Sequence, residues 1–223
     1  MCGRFTQHYT WAEVHRFLSV IGAPLNLQPR YNIAPTTLVD VVRLDPQGRR
    51  ELVRMRWGLV PGWWSKGLKD VPATFNARAE TVGMKPMFRD AFRQRRCIIP
   101  ASGFYEWTGP KGARVPHLFT ARDGSPVLGF AGLWDRWRDR ATGADVMSAT
   151  IIVSDASAWM APYHDRMPVL LAPDQFEAWL TGVAGAEALQ PAAADRLREW
   201  IVSDRVNRTG QDDEDPSLTV AVA

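Results

Sequence analysis

Apolar and polar residues alternate along much of the chain, and this period of two predicts β-strands. The clearest cases are LVDVVRL (38–44) and ELVRMRWGLV (51–60), which flank the turn sequence DPQG (45–48). We therefore predict that these two strands form a hairpin. Further strands are predicted at 96–107, 116–122, 126–134, 147–153 and 166–171. Asp123-Gly124, between two of them, is typical of a second hairpin turn.

A helical period appears at fewer places. In WAEVHRFLSVI (11–21) apolar residues recur three or four positions apart, which predicts an amphipathic helix after the N-terminal segment. Short helices are also predicted at 76–83, 86–93, 173–181 and 192–200. Because strands dominate the middle of the chain, the pattern predicts an α+β fold. No repeat or long linker divides the sequence, so one domain is expected.

The composition is that of a folded globular protein. Of 223 residues, 46% are hydrophobic and 23% are charged, which is enough apolar material for a sizeable core. Charged residues or prolines interrupt every apolar run before the roughly 18 residues that a membrane helix requires. The N-terminal residues also lack the apolar segment of a secretory signal. We therefore expect no membrane span and a cytoplasmic location.

Charge is distributed unevenly along the chain. The formal net charge is only +3, but residues 1–110 contain 16 Lys and Arg against 8 Asp and Glu, whereas residues 111–223 contain 11 against 16. A basic half is typical of a protein that binds a polyanion, although a solvated surface of uneven charge gives the same counts. Charge alone therefore does not choose between these interpretations.

The two cysteines, Cys2 and Cys97, are too few for a disulfide framework and lack the paired spacing of a zinc site. No G-x-S-x-G, H-E-x-x-H, G-x-G-x-x-G or G-x-x-x-x-G-K-[ST] pattern occurs either. We therefore predict no metal and no cofactor. Cys97 lies in the apolar run RRCIIP, where a free cysteine usually behaves as a small buried hydrophobe.

Cys2 has distinctive chemistry if the initiator Met1 is removed, as is usual before a small residue. Its α-amino group, with an ordinary pKa of about 7.7–8.0, is then partly neutral and can attack an aldehyde to give an imine. The neighbouring thiol can add to the imine carbon and close a five-membered thiazolidine ring. With Met1 retained, the Cys2 nitrogen is an amide and cannot form this ring. Cysteine at position two also occurs by chance in proteins without such chemistry.

Seven ordered segments, spread over nearly the whole chain, resemble the SOS response-associated peptidase (SRAP) family. They are MCGRF (1–5), RYNIAPT (30–36), MRWGLVPGWW (55–64), FNARAET (75–81), RRCIIPASGFYEW (95–107), HDRMPV (164–169) and Val206-Asn207. The resemblance implies a sensor of abasic sites in single-stranded DNA that crosslinks to the lesion through its N-terminal cysteine. The expected structure is a single α+β domain over 2–210, with a mostly antiparallel, barrel-like β core flanked by short helices. An acidic, flexible tail is expected at 211–223.

The resemblance also assigns four catalytic residues. Cys2 matches the nucleophile, Asn76 an orienting amide, Glu106 the acid/base carboxylate and His164 a second proton-transfer group. Opening the sugar hemiacetal and expelling water from the carbinolamine both need proton transfer near neutral pH. Histidine and a buried carboxylate suit this task, although each residue alone is more typical of an ordinary surface or core position.

Candidate DNA contacts follow from the same motifs. Arginines suit phosphate recognition, and tryptophans suit base stacking. In TIIVSDAS (150–157), a stretch that is usually richer in Thr in the family, Ser154 is the candidate for the expected hydroxyl contact to phosphate. The candidates are Arg4, Trp63, Trp64, Arg78, Trp107, Ser154 and Arg166. Most of the ten tryptophans must belong to the core, and the arginines could instead form surface salt bridges.

Two other functions remain open from the sequence. The first is a cysteine peptidase of the N-terminal-nucleophile type, with Cys2 attacking an amide and His164 as base, or with activity limited to self-processing. The second is a noncovalent single-strand-binding module in which Cys2 has no chemical role. The expected partner is single-stranded DNA with abasic sites, and a monomer is the expected state.

Overall fold

A closed ring of five strands forms the core of the computed structural model, which describes residues 2–222. Its members are β3 (Leu38–Leu44), β4 (Arg50–Trp57), β6 (Arg96–Ala101), β9 (Leu128–Arg138) and β10 (Asp145–Asp155). The ring order is β10, β4, β3, β6 and β9, and pairing between β9 and β10 closes it. All neighbours are antiparallel except β4 and β10. The predicted α+β fold with a barrel-like, mostly antiparallel core is confirmed.

Short strands extend this barrel at its edges. β5 (Asn76–Arg78) runs parallel to β10, and β11 (Arg166–Pro168) pairs with the end of β10. β12 (Leu170–Leu171) pairs with β9. The long strand β10 therefore connects the barrel to the two segments that carry the FNARAET and HDRMPV motifs.

A second sheet of five antiparallel strands packs beside the barrel. Its strands are β1 (Phe5–Gln7), β2 (Arg30–Ile33), β7 (Gly103–Thr108), β8 (Val115–Ala121) and β13 (Leu197–Ile201). Their order in the sheet is β13, β8, β7, β1 and β2. Because opposite residues in antiparallel strands share a face, the pairs Phe5↔Phe104 and Glu106↔His117 project from the same side of this sheet.

Aromatic side chains hold the two sheets together. Phe5 is fully buried, and its ring meets Trp57 edge-on at 4.8 Å between centroids and Phe130 at 6.0 Å. Phe104 packs against Phe130 in the same way. Burying one such side chain contributes about 1.5–3 kcal/mol. The packing of Phe5 fixes the N-terminal segment in the core three residues after Cys2.

Three short helices flank the strands. α1 (Trp11–Leu18) begins with a capping box between Thr10 and Glu13 and ends at Ser19, which has a positive φ of 52°. It buries Val14 and Leu18, so the predicted helix is confirmed but ends three residues early. α2 (Arg89–Gln94) overlaps the helix predicted at 86–93 and ends one residue beyond it, and α3 (Phe176–Leu180) falls within the helix predicted at 173–181, after a 3₁₀ turn at Pro173–Gln175.

Of the two predicted hairpins, the structure contains one. β3 and β4 pair up to Leu44↔Arg50, and Asp45 accepts hydrogen bonds from the amides of Gln47 and Arg49, so the predicted hairpin is confirmed. The hairpin predicted at Asp123-Gly124 is wrong. These residues do form a turn, but the chain there passes from β8 in one sheet to β9 in the other.

Two predicted helices are wrong. At 76–83 the structure has β5 followed by turns, because residues 76–78 find hydrogen-bonding partners on β10 and bury Ala77. At 192–200 a 3₁₀ turn (Ala194–Arg196) leads into β13, which pairs with β8. In both places sheet pairing overrides the helical propensity of Ala, Arg, Glu and Leu. The runs 96–107 and 166–171 each divide into two strands.

The C-terminal segment contacts the domain at several points. Leu218 is buried, the Trp200 indole donates to the Thr219 carbonyl at 2.9 Å, and Arg205 pairs with Asp215 at 2.7 Å. A 3₁₀ turn spans Pro216–Thr219. The domain boundary at 210 and the flexibility of the tail stay predictions. Met1, whose removal was predicted, and Ala223, the last tail residue, lie outside the described residues.

Candidate active site

Cys2 lies at the junction between the two sheets, just before β1. It is fully buried, and its Sγ makes a weak hydrogen bond to the Arg4 carbonyl at 3.8 Å. Burial, followed by the nearby charge of Glu106, raises the pKa of the thiol well above its ordinary value. At neutral pH the Cys2 sulfur is therefore a thiol, and a base must remove its proton before it can form a bond as a thiolate.

Asn76, the first residue of β5, holds Cys2 in place. Its side-chain Nδ2 donates to the Cys2 carbonyl at 2.8 Å. The side-chain Oδ1 is buried and accepts no hydrogen bond from any of residues 2–222. Backbone pairing of Asn76 with Ile151 fixes the position of this amide. The predicted nucleophile and the predicted orienting amide are thus in direct contact.

Glu106 projects from the middle of β7 and is only 2% exposed. Burial raises the pKa of its carboxyl to about 7, because the low-dielectric surroundings disfavour the charged form. The Glu106 charge in turn affects the thiol of Cys2, so the two groups lie within electrostatic reach of each other. A carboxyl that titrates near pH 7 can both give and accept a proton under cellular conditions.

His164 follows a turn at the end of the segment 156–163, which connects β10 to β11. Its Nδ1 lies 3.0 Å from the Arg166 amide nitrogen and 2.6 Å from the Asp165 carboxylate. Only a neutral ring can accept from the fixed amide, whereas only a protonated Nδ1 can donate to the exposed Asp165. Burial lowers the pKa of His164, so the neutral ring predominates at pH 7.

A solvent-open cleft of about 710 Å³ joins these groups. Its walls come from the start of the chain, the end of β7, the loop between β7 and β8, the turn before β11 and the segment after β13. The lining residues are Gly3, Arg4, Glu106, Trp107, Gly109, Gly112, Arg114, His164 and Asn207. Two of the four predicted catalytic residues, Glu106 and His164, therefore line this cleft. Cys2 precedes the lining residue Gly3 in the chain and is itself fully buried, with Asn76 bonded to its carbonyl.

Two predicted DNA contacts form a wall of this cleft. Nη1 of Arg4 donates to Asn32 Oδ1 at 2.7 Å and to the Val206 carbonyl at 2.8 Å, which fixes the guanidinium. That guanidinium lies 5.7 Å from the centre of the Trp107 ring, whose Nε1 donates to Asn207 Oδ1 at 2.6 Å. A cationic group and an aromatic face thus stand beside the buried carboxyl of Glu106.

The other predicted DNA contacts lie outside the cleft walls. Arg78, Ser154 and Arg166 sit on the neighbouring strands β5, β10 and β11. Arg78 is exposed, whereas Ser154 is 3% exposed and donates its hydroxyl hydrogen to the Asp155 carbonyl. Arg166 forms ion pairs with Glu80 and with Asp155. These contacts occupy Ser154 and Arg166, and their roles in DNA binding stay predictions.

Trp63 and Trp64 lie in the loop after β4. Trp63 is 50% exposed, and its ring centre is 6.0 Å from that of Trp64. The Trp64 indole donates to the Gly67 carbonyl at 3.1 Å, and its own carbonyl accepts from Trp137. Trp64 therefore supports the loop while Trp63 presents an aromatic face to solvent.

Sequence reasoning missed part of the cleft. Arg114 lies in the glycine-containing loop between β7 and β8 and acts electrostatically on both Glu106 and His164. No pattern around Arg114 distinguishes it from the other arginines of the chain. Asn207 belongs to the motif Val206-Asn207, but its contact with Trp107 joins residues 100 positions apart and arises only in the fold.

Two further findings concern broad classes of function. Among residues 2–222, no group of three or more His, Cys, Asp or Glu side chains is arranged to hold a metal ion. In the same part of the chain, no helix combines the length and apolar character needed to cross a membrane. Cys97 is fully buried, as predicted.

Fold and site together define a class of β-barrel protein in which a buried cysteine near the N terminus precedes the wall of an open cleft. The model of the family "SOS response associated peptidase (SRAP)" matches residues 1–209, and the chain belongs to this family. It is 34% identical to the abasic site processing protein YoaM of Bacillus subtilis over 93% of each chain. It is 30% identical to the abasic site processing protein YedK of Escherichia coli, over 87% of this chain and 86% of YedK. A solved structure from Bacteroides thetaiotaomicron covers 100% of both chains with a TM-score of 0.86 at 22% identity, which shows the shared fold.

Proposed function

We propose that this protein captures abasic sites in single-stranded DNA and, after loss of Met1, bonds covalently to them through Cys2. The observation that carries the proposal is an open cleft lined by Glu106 and His164, together with a buried Cys2 that Asn76 holds and on whose thiol the charge of Glu106 acts. The names of the relatives YoaM and YedK, both abasic site processing proteins, support the same substrate. The covalent adduct protects the lesion during the DNA damage response.

The proposed reaction forms two bonds to one sugar carbon and releases one water. The neutral α-amine of Cys2 attacks the C1′ aldehyde of the ring-opened deoxyribose, which forms a C–N bond and a carbinolamine. Protonation of the hydroxyl expels water and leaves an iminium ion. The Cys2 sulfur then adds to C1′ and passes its proton to a base, which closes the thiazolidine ring. An ordinary nucleotide carries a base on C1′ and offers no aldehyde, so the reaction selects the lesion and not the sequence.

Glu106 and His164 divide the proton transfers. Because burial brings the pKa of Glu106 to about 7, its carboxyl can protonate the leaving hydroxyl and its carboxylate can then accept the thiol proton. The raised pKa of the Cys2 thiol makes such an acceptor necessary. Neutral His164, which lines the same cleft, is suited to opening the sugar hemiacetal as a base. Asn76 positions Cys2, and in this proposal its buried Oδ1 accepts a hydrogen bond from the Cys2 amine or from a sugar hydroxyl.

DNA binding is assigned to the basic half of the chain. In this proposal Arg4 and Arg78 contact phosphates, Trp107 packs against the lesion sugar, and Trp63 stacks on a neighbouring base. Such contacts are independent of base sequence, as a damage sensor requires. The iminium stage also permits β-elimination, so weak strand scission at the lesion is expected as a side activity.

Cleavage of external proteins has less support from the geometry. A cysteine peptidase attacks with a thiolate that is stabilised by an imidazolium, whereas here burial raises the pKa of the Cys2 thiol and lowers that of His164. Cleavage of external proteins is therefore not part of this proposal.

A denaturing gel tests the proposal. Protein shown by mass to lack Met1 is mixed with single-stranded DNA that carries one abasic site, and with the undamaged strand. A heat-stable shift confined to the abasic strand is expected. Cys2→Ser keeps the amine but removes the thiol, so its adduct should survive the gel only after borohydride reduction of the imine. Cys97→Ala, at the other buried cysteine, is the matched control and should crosslink normally.

Two results would count against this function. Equal, salt-sensitive binding of damaged and undamaged strands without any stable adduct would favour the noncovalent single-strand-binding module. Hydrolysis of unrelated peptides by the processed protein, without an adduct, would favour the peptidase.

A further inference from the structure

A buried histidine outside the cleft wall lies directly across the sheet from Glu106. His117 on β8 is 7% exposed and is the register partner of Glu106 on β7. The two side chains therefore project from the same face of adjacent strands, where Cβ atoms are about 4.5–5.5 Å apart. The reaction proposed above does not use His117.

Both nitrogens of the His117 ring have partners. Nδ1 contacts the carboxylate of Glu199 on β13, and Nε2 lies 2.8 Å from the Thr108 hydroxyl. With neutral His117, the Nδ1 hydrogen is donated to Glu199 and Nε2 accepts from Thr108. The Glu199 side chain is only 18% exposed, so this pair is largely withdrawn from water. His117 thus links three strands of the second sheet.

The Glu199 carboxylate also holds the segment that carries His164. Its second oxygen accepts a hydrogen bond from the Tyr163 hydroxyl at 3.1 Å. The Tyr163 ring packs edge-on against His117 at 5.0 Å and against Phe119 at 5.1 Å. Tyr163 immediately precedes His164, so fixing this ring fixes the direction in which the chain leaves toward His164.

We propose that His117 and Glu199 form a positioning pair that holds Tyr163, and through it His164, at a set distance from Glu106. Glu106 lies opposite His117 in the pairing of β7 with β8. His164 follows Tyr163, whose hydroxyl donates to Glu199, and Glu199 in turn contacts His117. The positions of Glu106 and His164, the two proton-transfer groups of the cleft, therefore both depend on the buried imidazole of His117. The catalytic part of this inference rests on the proposed function.

The test uses single-atom or ring-conserving replacements. Tyr163→Phe removes only the hydroxyl, and His117→Phe keeps a ring of similar size without its hydrogen bonds. Tyr9→Phe is the matched control, because the Tyr9 hydroxyl is also bonded to a carboxylate, that of Asp40, and lies outside the cleft walls. Each variant is compared with wild type by thermal unfolding, by DNA affinity and by crosslinking rate at saturating abasic DNA.

Imidazole NMR titration of His164 gives a readout that needs no DNA. Loosening the segment should let water reach His164, so its titration midpoint should rise toward the ordinary value of about 6.5 in Tyr163→Phe and His117→Phe. The crosslinking rate at saturation should fall about tenfold with little change in affinity, since small misplacements of a catalytic group slow chemistry strongly. Tyr9→Phe should change neither quantity.

The outcomes separate the two proposals. An unchanged His164 midpoint in both variants, or an equal change in Tyr9→Phe, would overturn the positioning role whether or not wild type crosslinks. Failure of wild type to crosslink, together with a raised midpoint in the variants, would overturn the proposed function and leave the positioning of His164 supported.

Discussion

Replacing the buried carboxyl of Glu106 should make the protein more stable and less active above neutral pH. Glu106 is 2% exposed, and burial raises its pKa from 4.5 to about 7. Between these two values the native protein holds a proton that the unfolded chain has already released. The free energy of unfolding therefore decreases as pH rises through this window. At about 1.4 kcal/mol for each pKa unit, the decrease amounts to about 3 kcal/mol.

Glu106→Gln removes this titration while keeping the size of the side chain. The difference in unfolding free energy between Glu106→Gln and wild type should therefore grow by about 3 kcal/mol, in favour of the variant, between pH 4.5 and pH 8. Urea unfolding at four or five pH values measures it. Over the same range the variant should crosslink at least about 100-fold more slowly, because a general acid/base is lost.

The comparison needs a carboxylate that is not buried. Glu177→Gln, on α3, changes the same charge at a side chain that is 65% exposed, and it corrects for effects of net charge. If the free energies of unfolding of Glu106→Gln and wild type run parallel from pH 4.5 to pH 8, the claim that burial raises the pKa of Glu106 is refuted.

Two further predictions concern DNA binding. Arg4→Gln should weaken binding of single-stranded DNA and reduce the slope of log affinity against log salt by about 0.7, the value for one phosphate contact, as measured by fluorescence titration at several salt concentrations. An unchanged slope would mean that Arg4 only braces Asn32 and Val206. Trp63→Ala should weaken binding by about 1–3 kcal/mol if the half-exposed ring stacks on a base. Its melting temperature should stay the same, and unchanged affinity would remove Trp63 from the interface.

Local sequence patterns predicted the elements whose partners are close in the chain. Strand 38–44 has the predicted bounds, and its hairpin partner follows after a turn that Asp45 stabilises. Residues 76–78 and 197–201 are strands only because β10 and β8 offer them free edges. Their own composition favours a helix, so no local signal could have identified them.

The candidate site shows the same division. Cys2 attracted attention through its chemistry, but Asn76, Glu106 and His164 were found by family resemblance, because each of them alone is an ordinary polar residue. The contact of His117 with Glu199 joins positions 82 residues apart, and it depends on the order of β7, β8 and β13 in the sheet. Such a link exists only once strand pairing is known.

Intact mass spectrometry tests covalent capture most directly. Protein without Met1 is incubated with a single-stranded oligonucleotide that carries one abasic site, and the adduct is weighed without reduction. The account predicts one species whose mass is the sum of protein and DNA minus one water, absent with the undamaged strand and absent with Cys2→Ala. No adduct from protein that lacks Met1, or an equally abundant unreduced adduct from Cys2→Ala, would contradict it.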